Sequence, residues 1–152
     1  KTLPERQIVF TRHKSSLDFE GLALRIQELY SLIEKYQLNA FGPYMLIFHN
    51  DYQDSHPDPL EMAIALKEKD PRELPCTRPL PSGLYACTVF FGPHEKTFPA
   101  YEKLLSWLHI HHYKITGPAI KIYTKSLAFT DNTEKLLCEI QIPVQKTPQT
   151  LP

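Results

Sequence analysis

The residues best placed to do chemistry lie in the last third of the chain. Lys135 to Val144 reads K-L-L-C-E-I-Q-I-P-V. There Cys138, Ile140 and Ile142 alternate with Glu139, Gln141 and Pro143, and a period of two with β-branched residues marks a strand. The alternation puts Glu139 on the face opposite the isoleucines. A carboxylate in so apolar a strand faces water, has a partner or lines a cavity. In a cavity it would hold a cationic group or serve as a general base. Ile115 to Thr124 reads as a second strand, with Lys121 and Tyr123 alternating with Ile120 and Ile122. Lys121 is then a natural ionic partner for Glu139. Glu61 sits in an earlier strand much as Glu139 sits in the last. Tyr44, Phe48 and Tyr123 fall on the glutamates' face by the same counting, and their rings would attract apolar or cationic ligands.

Other chemistries find less support. His109 and His112 at i and i+3 could bind zinc on one helix face, with His111 beside them. No further ligand of fitting type is near, so no metal is expected; histidines also suit a helix C-terminus for dipole reasons. No nucleophile elbow, phosphate-binding glycine loop or Ser/His/Asp spacing occurs, and no cofactor is expected. Trp107 lies just off the apolar stripe of its helix and reads as packing or a dimer contact.

The totals set bounds on function. The chain has 152 residues, 42% of them hydrophobic, with seventeen basic and seventeen acidic residues. That is enough for one sizeable core. No basic stripe marks a nucleic-acid surface. No run reaches the eighteen apolar residues of a membrane span. The start, K-T-L-P-E-R-Q, has neither a signal peptide's pattern nor an initiator Met, as expected for a piece of a longer protein. Cys76, Cys87 and Cys138 are an odd number without metal spacing. They suit a reducing cytoplasm, with Cys87 and Cys138 as small core residues.

Those residues must be positioned by strands and helices that the sequence shows twice. Gln7 to His13 reads as a strand. Ser15-Ser16, with Asp18 following as in a capping box, opens a helix carrying Leu22, Ile26, Leu29 and Ile33 on one stripe. Tyr44 to His49 and Leu60 to Leu66 read as strands around the turn-forming loop Asn50 to Pro59. Lys67 to Pro81, rich in proline and charge, reads as a surface linker. The order then repeats. Leu84 to Phe91 is a strand, and a helix from Pro93 carries Phe98, Tyr101, Leu105 and Leu108. The two closing strands follow, separated by the polar loop Ser126 to Glu134. Leu3-Pro4 matches Leu80-Pro81, and Gly42-Pro43 matches Gly117-Pro118.

The expected fold is therefore α+β. Duplicated βαββ units (about 3–67 and 81–145, joined by a linker at 68–80) form one antiparallel sheet within a single domain spanning 1–152. Both helices pack on the face carrying Met45, Ile47, Met62, Ile64, Ile120, Ile122, Cys138 and Ile140. The other face, with Tyr44, Leu46, Phe48, Glu61, Lys121, Tyr123 and Glu139, forms a ligand groove at the pseudo-two-fold axis.

L-P-S-G-L-Y-A-C-T-V-F-F-G-P, then Y-E-K-L-L-S-W-L, then C-E-I-Q-I-P-V, in that order, resemble the gyrase-inhibitor-like (GyrI-like) small-molecule-binding domain. That domain is the effector-binding half of many bacterial transcription activators, and this chain looks most like the multidrug-sensing MerR type. The resemblance implies a small-molecule effector, apolar and cationic or aromatic. It implies a homodimer in the full-length protein, and DNA contact only through an upstream winged-helix region absent here. It makes Glu139 the main polar contact and Phe91, at a strand-to-helix turn, a ligand-contacting ring. Lys121, Tyr123, Tyr44, Phe48, Glu61 and Trp107 complete the candidate ligand-binding set. In the multidrug members the drug-binding glutamate lies where this chain has Lys121, a departure that alters selectivity. The resemblance also leaves two other readings: a hydrolase with a groove glutamate as base, and a stand-alone gyrase-inhibitor-type binding protein.

Overall fold

The computed structural model describes residues 1–13, 19–40, 42–48, 60–91, 97–124 and 137–148. The elements are β1 (Thr2–Leu3), β2 (Arg6–His13), α1 (Phe19–Tyr36), β3 (Met45–Phe48), β4 (Leu60–Ala65), β5 (Thr77–Leu80), β6 (Gly83–Phe91), α2 (Thr97–Ile110), β7 (Tyr113–Ile115), β8 (Ala119–Tyr123) and β9 (Leu137–Lys146). The strands form one sheet in the order β1-β6-β9-β8-β3-β4-β2-β5, with β7 added to β9. Every pairing is antiparallel. The expected capping box, both polar loops and the start of the second helix lie outside the described residues.

The strand order is a palindrome. Each strand of the first half has its counterpart at the mirrored place, and the centre falls between β3 and β8. Registers match as well as order. Arg12 faces Glu61 across β2–β4, and Val89 faces Glu139 across β6–β9. Ala40 bridges Leu66, as Ile115 pairs with Val144. Both helices end in the same way: Gln37 and His112 take left-handed φ values of 51° and 62°. Their N–H groups donate to the carbonyls of Glu34 and His109, each at 3.3 Å. This is a helix C-terminal cap built without glycine.

The segment expected to be a linker is part of the sheet. Thr77–Leu80 forms β5 and pairs with β2, and Cys76 and Leu80 are buried. The short β1 likewise pairs with β6 rather than with β2, which follows it. Each half thus lends its leading strand to the other. Charge and proline concealed β5 because an edge strand tolerates both: Arg78 and Pro79 need only one bonded side. The strand expected over Ile115 to Thr124 divides into β7 and β8, broken at Gly117-Pro118. A Cβ on Gly117 would meet Pro143 Cγ at 3.0 Å.

The assignment of side chains to faces differs from expectation. Within each strand the alternation holds, but the register between strands places the glutamates with the isoleucines. Glu139 pairs with Ile122, Gln141 with Ile120, and Glu61 with Ile47. These residues, with Met45, Ala63 and Ile8, occupy the face away from the helices. Tyr44, Leu46, Phe48 and Tyr123 pack with Met62, Ile64 and Cys138 on the helix side. Lys121, directly opposite Ile140, shares that side.

Alternation could not decide this, because both faces are apolar. The sheet curls so far that its concave face forms a core of its own. Arg6 Nη1 of β2 donates to Gln141 Oε1 of β9 at 3.0 Å, although three strands lie between them in the sheet. On the other face α1 packs Leu29, Ile26 and Ile33 against β2 and β4. Below α2, Tyr101, Leu104 and Leu108 pack on Ala86, Ile140 and Ile142. Leu104 joins this stripe and Leu105 lies at its margin, while Phe98 is exposed. Cys138 is buried as expected, whereas Cys87 is only half-buried. Among the described residues no helix is long and apolar enough to cross a membrane.

Candidate functional site

The central ladder between β3 and β8 pairs Met45 with Ile122, Leu46 with Lys121 and Ile47 with Ile120. The pseudo-two-fold exchanges the first of these pairs with the third, so its axis passes through Leu46–Lys121. Lys121 is 1% exposed. Its ammonium lies 4.8 Å from the ring centroid of Tyr123 and 5.9 Å from that of Phe90. At such distances the ring quadrupoles offset part of the cost of desolvating the charge.

More aromatic side chains surround this point. Tyr123 N–H donates to the carbonyl of Tyr44 at 2.9 Å. The Tyr44 hydroxyl donates to that of Tyr30 on α1 at 2.7 Å, with the rings edge to face. Burial pushes the phenols of Tyr44 and Tyr123 well above their ordinary range. It also raises the thiol of Cys138, an effect that Lys121 partly opposes. Tyr44, Phe48, Tyr123 and Lys121 thus share one face as expected, but it is the face between the helices. Phe90 and Tyr30 join them. Phe91, the ring expected there, points to the concave side and is 62% exposed.

The two glutamates form a dyad-related pair of ionic sites on the concave face. Glu61 is fully buried. It accepts from Arg78 Nη2 at 2.9 Å and Arg78 Nε at 3.2 Å, with Arg12 at 3.7 Å. Glu139 accepts from Gln141 Nε2 at 3.0 Å and faces Lys1 Nζ at 3.6 Å. Lys1, just before β1, occupies the register that Arg78 occupies in β5, opposite Tyr85 and Ile8 respectively. Lys121, which the sequence left open as a partner for Glu139, does not face it, because the two side chains leave opposite faces of the sheet. Sequence reasoning missed Arg78 by placing it in a linker. It missed Arg6, whose guanidinium lies over the Tyr85 ring, because nothing in the sequence signals the curl.

Trp107 lies away from both places, its ring stacked on Tyr113 at 5.5 Å and against His111 at 4.3 Å. It borders a cavity of about 510 Å³ between α2 and β6. Among the described residues no cluster of His, Cys, Asp or Glu could hold a metal.

The comparisons agree with this architecture. The C-terminal domain of EcmrR superposes with a TM-score of 0.83 at 17% identity, covering 97% of this chain and 96% of that one. EcmrR in a complex with DNA superposes with a TM-score of 0.82 at 19% identity and covers 97% of this chain. The chain spans 56% of that protein's length. A hydrolase from Listeria innocua, encoded by lin2189, matches with a TM-score of 0.66 at 13% identity, covering 95% of this chain and 90% of that one. At such identities the likeness extends to the fold. No curated protein sequence matches. The sequence itself fits the GyrI-like small molecule binding domain over residues 1–145. By that match over nearly its whole length the chain belongs to the GyrI-like small-molecule-binding family.

Proposed function

We propose that this chain is the effector-sensing domain of a bacterial MerR-type transcription regulator. Its ligand is an aromatic, largely apolar small molecule bound on the helix side of β3 and β8. The observation that carries this reading is Lys121 at the pseudo-two-fold axis, with its ammonium over the rings of Tyr123 and Phe90. Flat aromatic surfaces around a desolvated charge suit a ligand with rings of its own. Tyr44 and Phe48 are buried on the same side of the sheet.

A buried ammonium disfavours a second cation beside it, so the ligand is neutral or anionic where it meets Lys121. Glu139 and Glu61 belong to the concave face and lie outside this contact set, as do Phe91 and Trp107. The hydrolase reading has less behind it. Its base would be Glu139, which is already held by Gln141 and Lys1 in a filled face. In the full-length homodimer, ligand binding shifts the balance between two arrangements by its difference in affinity for them, and an upstream winged-helix region reads that shift on DNA.

The test is isothermal titration with a set of polycyclic aromatic carboxylates. Phe90→Ala and Tyr123→Phe are expected to weaken every hit, Phe90→Ala by about tenfold or about 1.4 kcal/mol. Glu139→Gln leaves affinity unchanged. Loss of binding in Glu139→Gln with retention in Phe90→Ala overturns the assignment.

A further inference from the structure

The two halves of the sheet match strand for strand but differ behind their helices. In the first half the chain leading into β5 closes the crevice between α1 and the edge of β2. Phe10 N–H donates to the carbonyl of Cys76 at 2.9 Å, and Arg72 Nη2 donates to the carbonyl of Tyr36 at 2.7 Å. Leu74 and Cys76 pack into the cluster that holds Leu29, Leu32, Leu38 and Leu66.

In the second half the pseudo-two-fold carries those four leucines onto Leu104, Trp107, Tyr113 and Val144. These four line the cavity of about 510 Å³. Its floor is the outer edge of β6. Tyr85 N–H donates to the carbonyl of Lys1 at 2.8 Å, which continues the β1 ladder by one residue. Beyond that point no described strand pairs with this edge. Cys87 N–H, two residues on, points the same way and corresponds to Phe10 N–H.

We propose that this cavity is the docking groove for an extended polypeptide segment that continues β1 along β6. The segment mirrors Arg72–Thr77. One backbone carbonyl accepts from Cys87 N–H, and two apolar side chains fill the space between Trp107, Leu104 and Val144. Strand addition to an open edge supplies the backbone bonds, and the apolar pocket supplies register. Lys1 and Lys103 border the groove, so the segment's polar positions are neutral or acidic. The proposal is independent of the effector site, which lies nearer the sheet centre.

The test uses the chain's own answer to the equivalent crevice. Asp70–Thr77 (D-P-R-E-L-P-C-T) is duplicated ahead of Lys1, which brings the copied Cys76 to the register of Cys87. Trp107 is the sole tryptophan and is 46% exposed, so its fluorescence reports directly on the groove. The extended chain is expected to show a blue-shifted Trp107 emission and an acrylamide quenching constant reduced by about half or more. Leu74→Asp and Cys76→Asp, made only in the appended copy, should restore the parent values without touching the folded domain. Unchanged quenching in the extended chain, or equal protection by the doubly substituted copy, overturns the proposal. Protection of Trp107 by a free polycyclic carboxylate but not by the appended segment also overturns it and gives the cavity to a small ligand.

Discussion

Leu46 and Lys121 stand directly opposite each other on the pseudo-two-fold axis, and each is the other's counterpart. In a perfect duplicate they would be one residue type. Here the two positions on the axis differ: Lys121 carries a charge and Leu46 does not, and the rings of Phe90 from β6 and Tyr123 from β8 lie near that charge.

That charge should govern ligand choice. Tetraphenylborate and tetraphenylphosphonium have nearly the same shape and opposite charge. We expect the borate to bind at least about tenfold more tightly, a difference of about 1.4 kcal/mol. Lys121→Met should bring the two affinities together, and Lys121→Glu should invert their order. Parallel titrations on the three proteins check this; equal affinities in the parent protein would remove Lys121 from the contact.

The two ionic sites on the concave face have the same register and different burial. Glu61 is fully enclosed and bound bidentately by Arg78, whose own side chain is 30% exposed. Lys1 is largely exposed and only approaches Glu139. Arg78→Met should therefore cost about 2–3 kcal/mol, below the value for a fully buried pair because solvent reaches the arginine. Lys1→Met should cost less than about 0.5 kcal/mol. Urea unfolding of both variants measures the contrast.

Stability should fall in alkali. Burial raises the Cys138 thiol and the Tyr123 phenol above their ordinary values of 9.0 and 10.0. Well below pH 9, the ordinary value of the thiol, both groups are protonated whether the chain is folded or unfolded, so they make stability independent of pH there. Above it the unfolded chain releases protons that the folded chain keeps, and the unfolded state gains. The unfolding free energy from urea titrations should be nearly level from pH 7 to 8, then drop by roughly 1 kcal/mol by pH 10. Cys138→Ala should shrink that drop.

The concave face should prove to be a true core despite lying away from the helices. Ile47 and Ile120 are buried there with Met45 and Ala63. Ile47→Ala is expected to cost about 2–5 kcal/mol, as in other well-packed interiors. A cost below about 1 kcal/mol would mean that this face opens to solvent.

Gly83 starts β6 at a φ of 149°, where a side chain is strained although open space surrounds it. Gly83→Ala should cost about 1–2 kcal/mol through the backbone alone. A thermal melt checks it.

Much of this architecture was legible in the sequence. The repeated order of strand, helix and two strands, the paired Leu-Pro and Gly-Pro steps, and the alternation in β8 and β9 all follow from local periodicity. The relation between Glu61 and Glu139 was legible for the same reason. What local pattern does not contain is register between strands. Ile122 opposite Glu139, rather than opposite an isoleucine, moved both acids to the concave side. β5 escaped because Arg78 and Pro79 look like surface residues until Glu61 is seen beneath them. Phe90 was passed over for Phe91 because one residue of phase decides which ring turns toward Lys121.

The crossing of the two leading strands has a consequence for how this protein is held together. Residues 77–80 line the edge of β2, and residues 2–3 cover the start of the edge of β6, so each repeat takes a piece threaded in from its sibling. Neither repeat is then a self-sufficient module. Severed between them, the chain would yield two fragments that stay unstructured apart and regain order only when mixed.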